Sequence, residues 1–407
     1  MGNQRQGNFK IFRAALMITG TTIGIGILGL PIKTGLSGVL PSLVATSVVW
    51  VVMLGTGWIL ARGVIASNDR TIDISTLVHQ KLGFSGRVMT VIGYLVLVYG
   101  IITAHLAGGG EVLSVITGGA LSVNSAILVF FVVATVIALL GVAWVEKINS
   151  FLMAGLLLCF GVILFEATKS VDTARFAHKD WTFLSATIPI IVCAQAYQLI
   201  VPSVCRMLNN DAKAVKKALV TGTLIPVIIN SLWMLAVVGV LPLAGEGDNT
   251  IFAAFEKGEP ATVPLAAVLQ STVISRFALV FSMVVLVSSY VLQSTAVIGF
   301  FEDLLPESLG RKRRTTAIVM GFFPPLVVVF LYPGIFLKTL DLIGGGSVIL
   351  LFGVIPGLIL LKDEVSRRMS IRVLAICLVL VCLFFMGLEL MQEFGLLKIS
   401  PNVEYWF

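Results

Sequence analysis

The stretch Gly20-Thr-Thr-Ile-Gly24-Ile-Gly26-Ile-Leu-Gly29-Leu-Pro31 lies inside an apolar run that starts near Ile11. Glycine weakens a helix and proline removes a backbone donor, so four glycines and a proline at this depth predict a helix that unwinds in its middle. A second stretch, Cys193-Ala-Gln195-Ala-Tyr197-Gln198-Leu-Ile-Val-Pro202-Ser203, puts polar groups inside another apolar run and follows them with a proline. Aligning Pro31 with Pro202 sets Gly24 opposite Gln195 and Gly26 opposite Tyr197. The two interruptions occupy corresponding places.

The chain around them has 407 residues, 57% hydrophobic and 12% charged, with a mean hydropathy of +1.03. Soluble domains hold about 45–50% apolar and about 25% charged residues, so a water-soluble protein is excluded. Apolar runs separated by charged or Gly/Pro-rich breaks give eleven expected spans, near 11–36, 39–61, 88–110, 124–143, 148–166, 186–205, 215–240, 274–300, 315–331, 337–361 and 373–394. The first run continues past Leu30 without a small-residue cleavage site and is expected to be a retained helix. With residues 1–10 in the cytoplasm, twenty of the 28 basic residues fall on the inner face. The other eight, Lys33 among them, fall on the opposite face. This bias follows the positive-inside rule, predicts an external tail at 395–407 and explains the +7 charge without nucleic acid.

Unwound backbone inside a bilayer persists only where protein buries it or where it lines a cavity. In transporters built from inverted repeats, paired broken helices mark the binding site, with half-helix N-termini facing an anionic group. Spans one to five (11–166) and six to ten (186–361) are expected to form two such repeats, inverted because five is odd, with 373–394 as an added eleventh helix. The competing reading is that glycine and proline serve close packing or a kink. Neither a P-loop nor an HExxH motif is present, and His79, His105 and His178 lie far apart, which argues against an ATP-driven pump or a membrane enzyme. The five cysteines are scattered without metal-ligand spacing or a disulfide framework. No cofactor is expected.

On these residues the chain resembles the hydroxy and aromatic amino acid permeases, the bacterial tyrosine and tryptophan transporter family of the amino acid, polyamine and organocation superfamily. The resemblance is carried by GTTIGIGILGLP in span one, TAHLAGGGEVL in span three, IPIIVCAQAYQLIVPSV in span six, GFFEDLL in span eight and FFPPLVVVFLYP in span nine. It implies an all-α membrane protein with a five-plus-five inverted-repeat, LeuT-like fold. The implied activity is uptake of aromatic amino acids across the bacterial inner membrane by symport, with the proton as coupling ion in preference to sodium; an amino acid exchanger of the same fold and a membrane nutrient sensor are the alternatives. By the same resemblance, Thr21, Thr22, Gly24, Ile25 and Gly26 hold the carboxylate and ammonium of the substrate, and Gln195, Ala196, Tyr197 and Gln198 lie beside its side chain. Members of the family tend to have an aromatic-glycine-aromatic-histidine stretch in span six, and only the second aromatic, Tyr197, is kept here. An amide in the pocket favours a more polar side chain.

Glu111 follows the triple glycine 108 to 110, and a carboxylate at membrane depth is a functional candidate as proton carrier or gate. The alternative is an interfacial carboxylate that meets water. His105 either titrates near neutral pH or serves as a structural hydrogen-bonding residue. Tyr99 either lines the central cavity or packs against its own helix. Ser288 and Ser289 are the closest match to the hydroxyl pair that binds sodium in sodium-coupled relatives; membrane-helix hydroxyls also commonly bond their own backbone. The expected partners are a small amino acid and membrane lipid, with function as a monomer.

Overall fold

The computed structural model describes residues 2–67, 72–139, 155, 158–245, 247–269, 272–310, 312–363 and 368–402. The described elements are helical: α1 (Gly2–Thr22), α2 (Gly26–Ser37), α3 (Val39–Ala66), α4 (Ile74–Ile116), α5 (Val123–Leu139), α6 (158–170), α7 (Leu184–Cys193), α8 (Val201–Met207) and α9 (Ala212–Val240). After them come α10 (Ile251–Lys257), α11 (Thr262–Val268), α12 (Thr272–Leu304), α13 (Lys312–Leu331), α14 (Phe336–Asp341), α15 (Ile355–Lys362) and α16 (Met369–Glu393). Between α14 and α15 the same rod continues as two wide π-helical stretches, Leu342–Val348 and Leu350–Val354.

Eight described helical segments are long and apolar enough to cross a bilayer, and α1 with α2 makes a ninth when counted as one bent span. The expectation of eleven is therefore met only in part. α5 is described over 17 residues, up to Leu139, against the roughly 20 that a hydrocarbon core of about 30 Å asks for, and the rest of the expected span at 124–143 lies outside the described residues. Of the expected fifth span at 148–166, residues 148–154, 156 and 157 lie outside the described residues, and 158–170 are helical.

Local chemistry sets the helix ends. The Asp73 carboxylate accepts from the Thr76 amide at 2.7 Å to start α4, and Asp211 accepts from Lys213 and Ala214 to start α9. α4 has 43 residues, about twice what a span needs, and non-helical Gly83 (φ 72°, ψ −153°) divides a lead-in from the span proper. Between α2 and α3 the chain turns at Gly38, whose φ of 88° suits glycine, and a methyl there would strike the His178 carbonyl.

Apolar side chains face both ways. Leu128, Val129, Val132, Val133 and Val136 of α5 are exposed at helical spacing, as are Val373, Leu374, Leu380 and Phe384 of α16. In hydrocarbon this surface is the solvated one. Inside, Trp233, Phe160 and Phe281 pack with ring centroids 5.5–6.1 Å apart, and the Trp233 indole donates to the Ile27 carbonyl of α2 at 2.8 Å. The Ala261 amide donates to Leu28 O at 2.8 Å, so both bonds hold α2 just beyond its start.

Candidate functional site

α1 stops at Thr22 and α2 starts at Gly26, with a bend of 64° between them. The Thr21 and Thr22 hydroxyls donate back to Met17 O and Ile18 O at 2.9 and 2.8 Å, which satisfies those side chains within their own helix. The break leaves backbone exposed instead. Among the described residues, the Gly24 and Ile25 amides donate no backbone hydrogen bond, and no side chain caps α2. An uncapped helix N-terminus with free amides favours an anion, and the carbonyl end of α1 opposite it favours a cation. An amino acid carries both groups on one carbon.

The second break runs from Cys193, the end of α7, through Ala194–Tyr197 to a short 3₁₀ turn at Gln198–Ile200 and then α8. It meets the first closely: a methyl on Gly26 would lie 2.9 Å from the Ala194 Cα. Its polar side chains turn away into α3. Gln195 donates to Thr46 O at 3.1 Å, the Tyr197 hydroxyl to Met53 O at 3.1 Å, and Gln198 to Met53 O and Thr56 Oγ1, both at 3.3 Å. The Gln198 amide oxygen accepts from the Tyr197 N–H at 3.0 Å, and Asn230 donates to Ala194 O at 3.3 Å.

A cavity of about 750 Å³ opens between the two breaks. It brings together Thr21, Thr22, Gly24, Ile25, Gly26, Ala196, Tyr197, His105 and Ser289. Gln195, Gln198, Tyr99, Ser288 and Glu111 lie outside it. Tyr99 packs its ring 5.6 Å from that of Phe301, and Ser288 donates to Val285 O of its own helix at 3.1 Å. Ser289 faces the first break, since a methyl on Gly24 would come within 3.8 Å of its hydroxyl oxygen. His105 Nδ1 donates to Ile101 O at 2.6 Å, and its ring stands edge-on to Tyr290 with centroids 6.0 Å apart. Glu111 is half-buried near the end of α4, with Glu259 and Lys257 as electrostatic neighbours. The triple glycine before it accommodates Phe336, Phe130 and Ile127.

Three features of the site were not anticipated. Tyr94, stacked on Phe300 with centroids 5.9 Å apart, takes the cavity-lining place considered for Tyr99. Asp73, Arg87, Arg206 and Asp303 line the cavity's far end, which gives it a charged mouth. Lys33, expected on an outer surface, is buried in α2 and paired with Asp341 at 2.5 Å. A lysine inside span one and an aspartate inside span ten were the available signals.

Beyond Lys33 a loop caps α2. The His178 ring donates from Nε2 to Leu36 O at 2.6 Å, and the Asp180 amide to Ser37 O at 2.8 Å. Burial lowers the His178 pKa from its usual 6.5, against the opposing pull of the Leu36 carbonyl and Asp180. Burial raises that of Asp180, but hydrogen bonds from the Thr182 hydroxyl and the Asn402, Phe183 and Thr182 amides outweigh it and hold the carboxyl below its ordinary value.

The chain has known relatives. Tyrosine-specific transport system 2 of Haemophilus influenzae is 27% identical over 348 residues, covering 82% of this chain and 84% of its own. A tryptophan-specific transport protein of Pseudomonas aeruginosa is 22% identical, covering 82% of both. The fold is similar to that of MhsT in complex with L-phenylalanine, with a TM-score of 0.61 at 15% identity over 92% of this chain and 98% of that one. That likeness establishes a LeuT-like fold for this multi-span membrane protein. Residues 8–392 match the tryptophan/tyrosine permease family, whose members are transporters and not enzymes, and the chain belongs to that family.

Proposed function

We propose that the protein imports L-amino acids with aromatic side chains, tyrosine, tryptophan and phenylalanine, by proton symport and alternating access. The observation that carries this reading is the uncapped start of α2, with the free amides of Gly24 and Ile25 facing a cavity of about 750 Å³. A substrate carboxylate meets those amides, and its ammonium meets the carbonyl end of α1. Tyr94, Ile101, Phe300 and Phe352 line the remaining space, and their apolar surface suits a flat aromatic side chain. The relatives named for tyrosine and tryptophan transport support the same class.

The cavity reaches Arg87 and Arg206, which flank spans three and six on the inner face when residues 1–10 are cytoplasmic, while the opposite end is closed over Lys33 and the 171–183 loop. On that orientation, with the N-terminus cytoplasmic and the tail external in a bacterial inner membrane, this is the inward-facing state of a monomeric carrier. α1 and α2 with α7 and α8 then rock against the remaining spans.

The test is uptake by purified protein in liposomes, with labelled tyrosine, tryptophan, phenylalanine and a panel including glutamine, under an imposed proton or sodium gradient. Concentrative aromatic uptake abolished by a protonophore is the expected result. Dependence on sodium alone moves the coupling ion to the Ser289 region. Absence of uptake for the whole panel removes the transport reading.

A further inference from the structure

Three charged side chains lie buried together at the closed end of the bundle. Lys33 of α2, Asp341 at the end of α14 and Glu389 of α16 are 6%, 5% and 3% exposed. Lys33 Nζ lies 2.5 Å from Asp341 Oδ2 and donates to Ala186 O at 2.9 Å. The other aspartate oxygen, Oδ1, is buried with no hydrogen-bond partner among the described residues.

The position of Glu389 follows from the register of α16. Its buried residues are Ala375, Cys382 and Glu389, a seven-residue repeat that forms one stripe. The stripe fits glycine notches in the rod opposite: a methyl on Gly353 would meet Cys382 Sγ at 2.6 Å, and one on Gly345 would meet Glu389 Cγ at 2.6 Å. Gly345 follows Asp341 by about one turn, so both carboxyl groups lie along one side of the rod. The first two members of the stripe pack as small apolar residues. A carboxyl group in the third place has no packing rationale, because a buried charge costs several kcal/mol unless it is compensated.

We propose that Lys33, Asp341 and Glu389 form the proton-binding site that couples the gradient to import. This assignment rests on the transport reading above. With Lys33 docked, its ammonium neutralises the Asp341 carboxylate, and Glu389, an electrostatic neighbour of both, holds a proton. When α2 withdraws, the ammonium leaves, and Asp341, buried near Glu389 without a cation, takes up one further proton. Redocking of Lys33 expels that proton. α2 also carries the amides for the substrate carboxylate at its start, about two turns from Lys33, so substrate movement and proton occupancy change in one motion.

The surroundings suit this role. α7 presents Cys193, an electrostatic neighbour of Asp341, and Cys193 and Ile343 both line the cavity, which gives the expelled proton a short way out. α16 adds only Glu393, exposed and further along the helix. α4 places Gly100 against Ile343 and Gly108 against Phe336, and α10 contributes the Phe255 ring, 5.9 Å from Lys33 Nζ.

The experiment compares two readouts in proteoliposomes: tyrosine accumulation under a pH gradient, and counterflow of labelled against unlabelled tyrosine with no gradient. For one proton per substrate, a gradient of about one pH unit supports about tenfold accumulation. In Glu389→Gln, accumulation is expected to fall to near onefold, and tyrosine-dependent proton entry, read with an internal pH dye, to vanish, while counterflow remains measurable. Asp341→Asn is expected to show the same split and stands in if Glu389→Gln does not fold. Either variant accumulating tyrosine to the wild-type ratio with proton entry intact overturns the assignment. Wild-type accumulation driven by sodium alone also overturns it and leaves transport standing; wild-type protein with no transport in either assay breaks the transport reading itself.

Discussion

The two broken helices occupy corresponding positions and solve the same problem by different means. The first break, at residues 23–25, is bare: its threonine hydroxyls are spent on their own helix, and the Gly24 and Ile25 amides have no backbone acceptor among the described residues. The second, at residues 194–197, is fastened to α3 through Gln195, Tyr197 and Gln198. A break that binds must leave backbone groups unsatisfied, whereas a break that supports must satisfy them, because an unpaired group in hydrocarbon costs several kcal/mol. On the function proposed above, the first break reads the substrate and the second is its mount.

The strongest way to break this comparison is Gly26→Val. The added carbon would begin 2.9 Å from Ala194 Cα, against backbone that cannot yield, and the new side chain would push the two breaks apart. Uptake should fall by about 100-fold or more with expression intact, measured as initial rates in proteoliposomes. Normal uptake would remove the first break from the site. Gly24→Ala sharpens the contrast, since its methyl would find ordinary contact at 3.8 Å from Ser289 Oγ; its KM for tyrosine should stay within about threefold of wild type, a change of under about 1 kcal/mol.

Gln198→Leu probes the mount. It strips the Tyr197 amide of its acceptor and Thr56 of a donor, which should lower stability by about 1–3 kcal/mol. Thermal unfolding in detergent reads this as a lower Tm, with a smaller change in KM than in Tm-normalised activity. A raised KM at unchanged Tm would instead return Gln198 to the pocket.

The smallest effect concerns pH at the closed end. Burial favours neutral His178 in the folded protein, so the unfolded chain takes up the proton first as pH falls. Stability from this residue is complete above about pH 6.5 and declines below it. Asp180, held below its ordinary value, loses its contribution only in stronger acid. Tm should therefore drop between about pH 7 and pH 5.5, and His178→Gln should flatten that slope. An unchanged slope would mean that other groups set it.

Both breaks were legible in the sequence because glycine, proline and mid-span polar residues act locally. The direction of the second break's side chains was not. Gln195 and Gln198 look like pocket residues until Thr46, Met53 and Thr56, more than 140 positions away, are brought alongside. Lys33 was hidden for the same reason: near the end of a span it reads as a surface charge, and only Asp341, far along the chain, shows it to be interior. Tyr94 and Tyr99 sit in one helix, and their separation into cavity and packing roles depends on the Phe300–Phe301 pair opposite.

The near-contact of Gly26 with Ala194 carries an evolutionary consequence. The obstructing atom is the Ala194 Cα, which every residue at position 194 carries, so no substitution there makes room for a side chain at position 26. A library varying both positions together should therefore return glycine at 26 whatever it returns at 194. Position 26 would stay glycine long after the sequence around the two breaks had diverged.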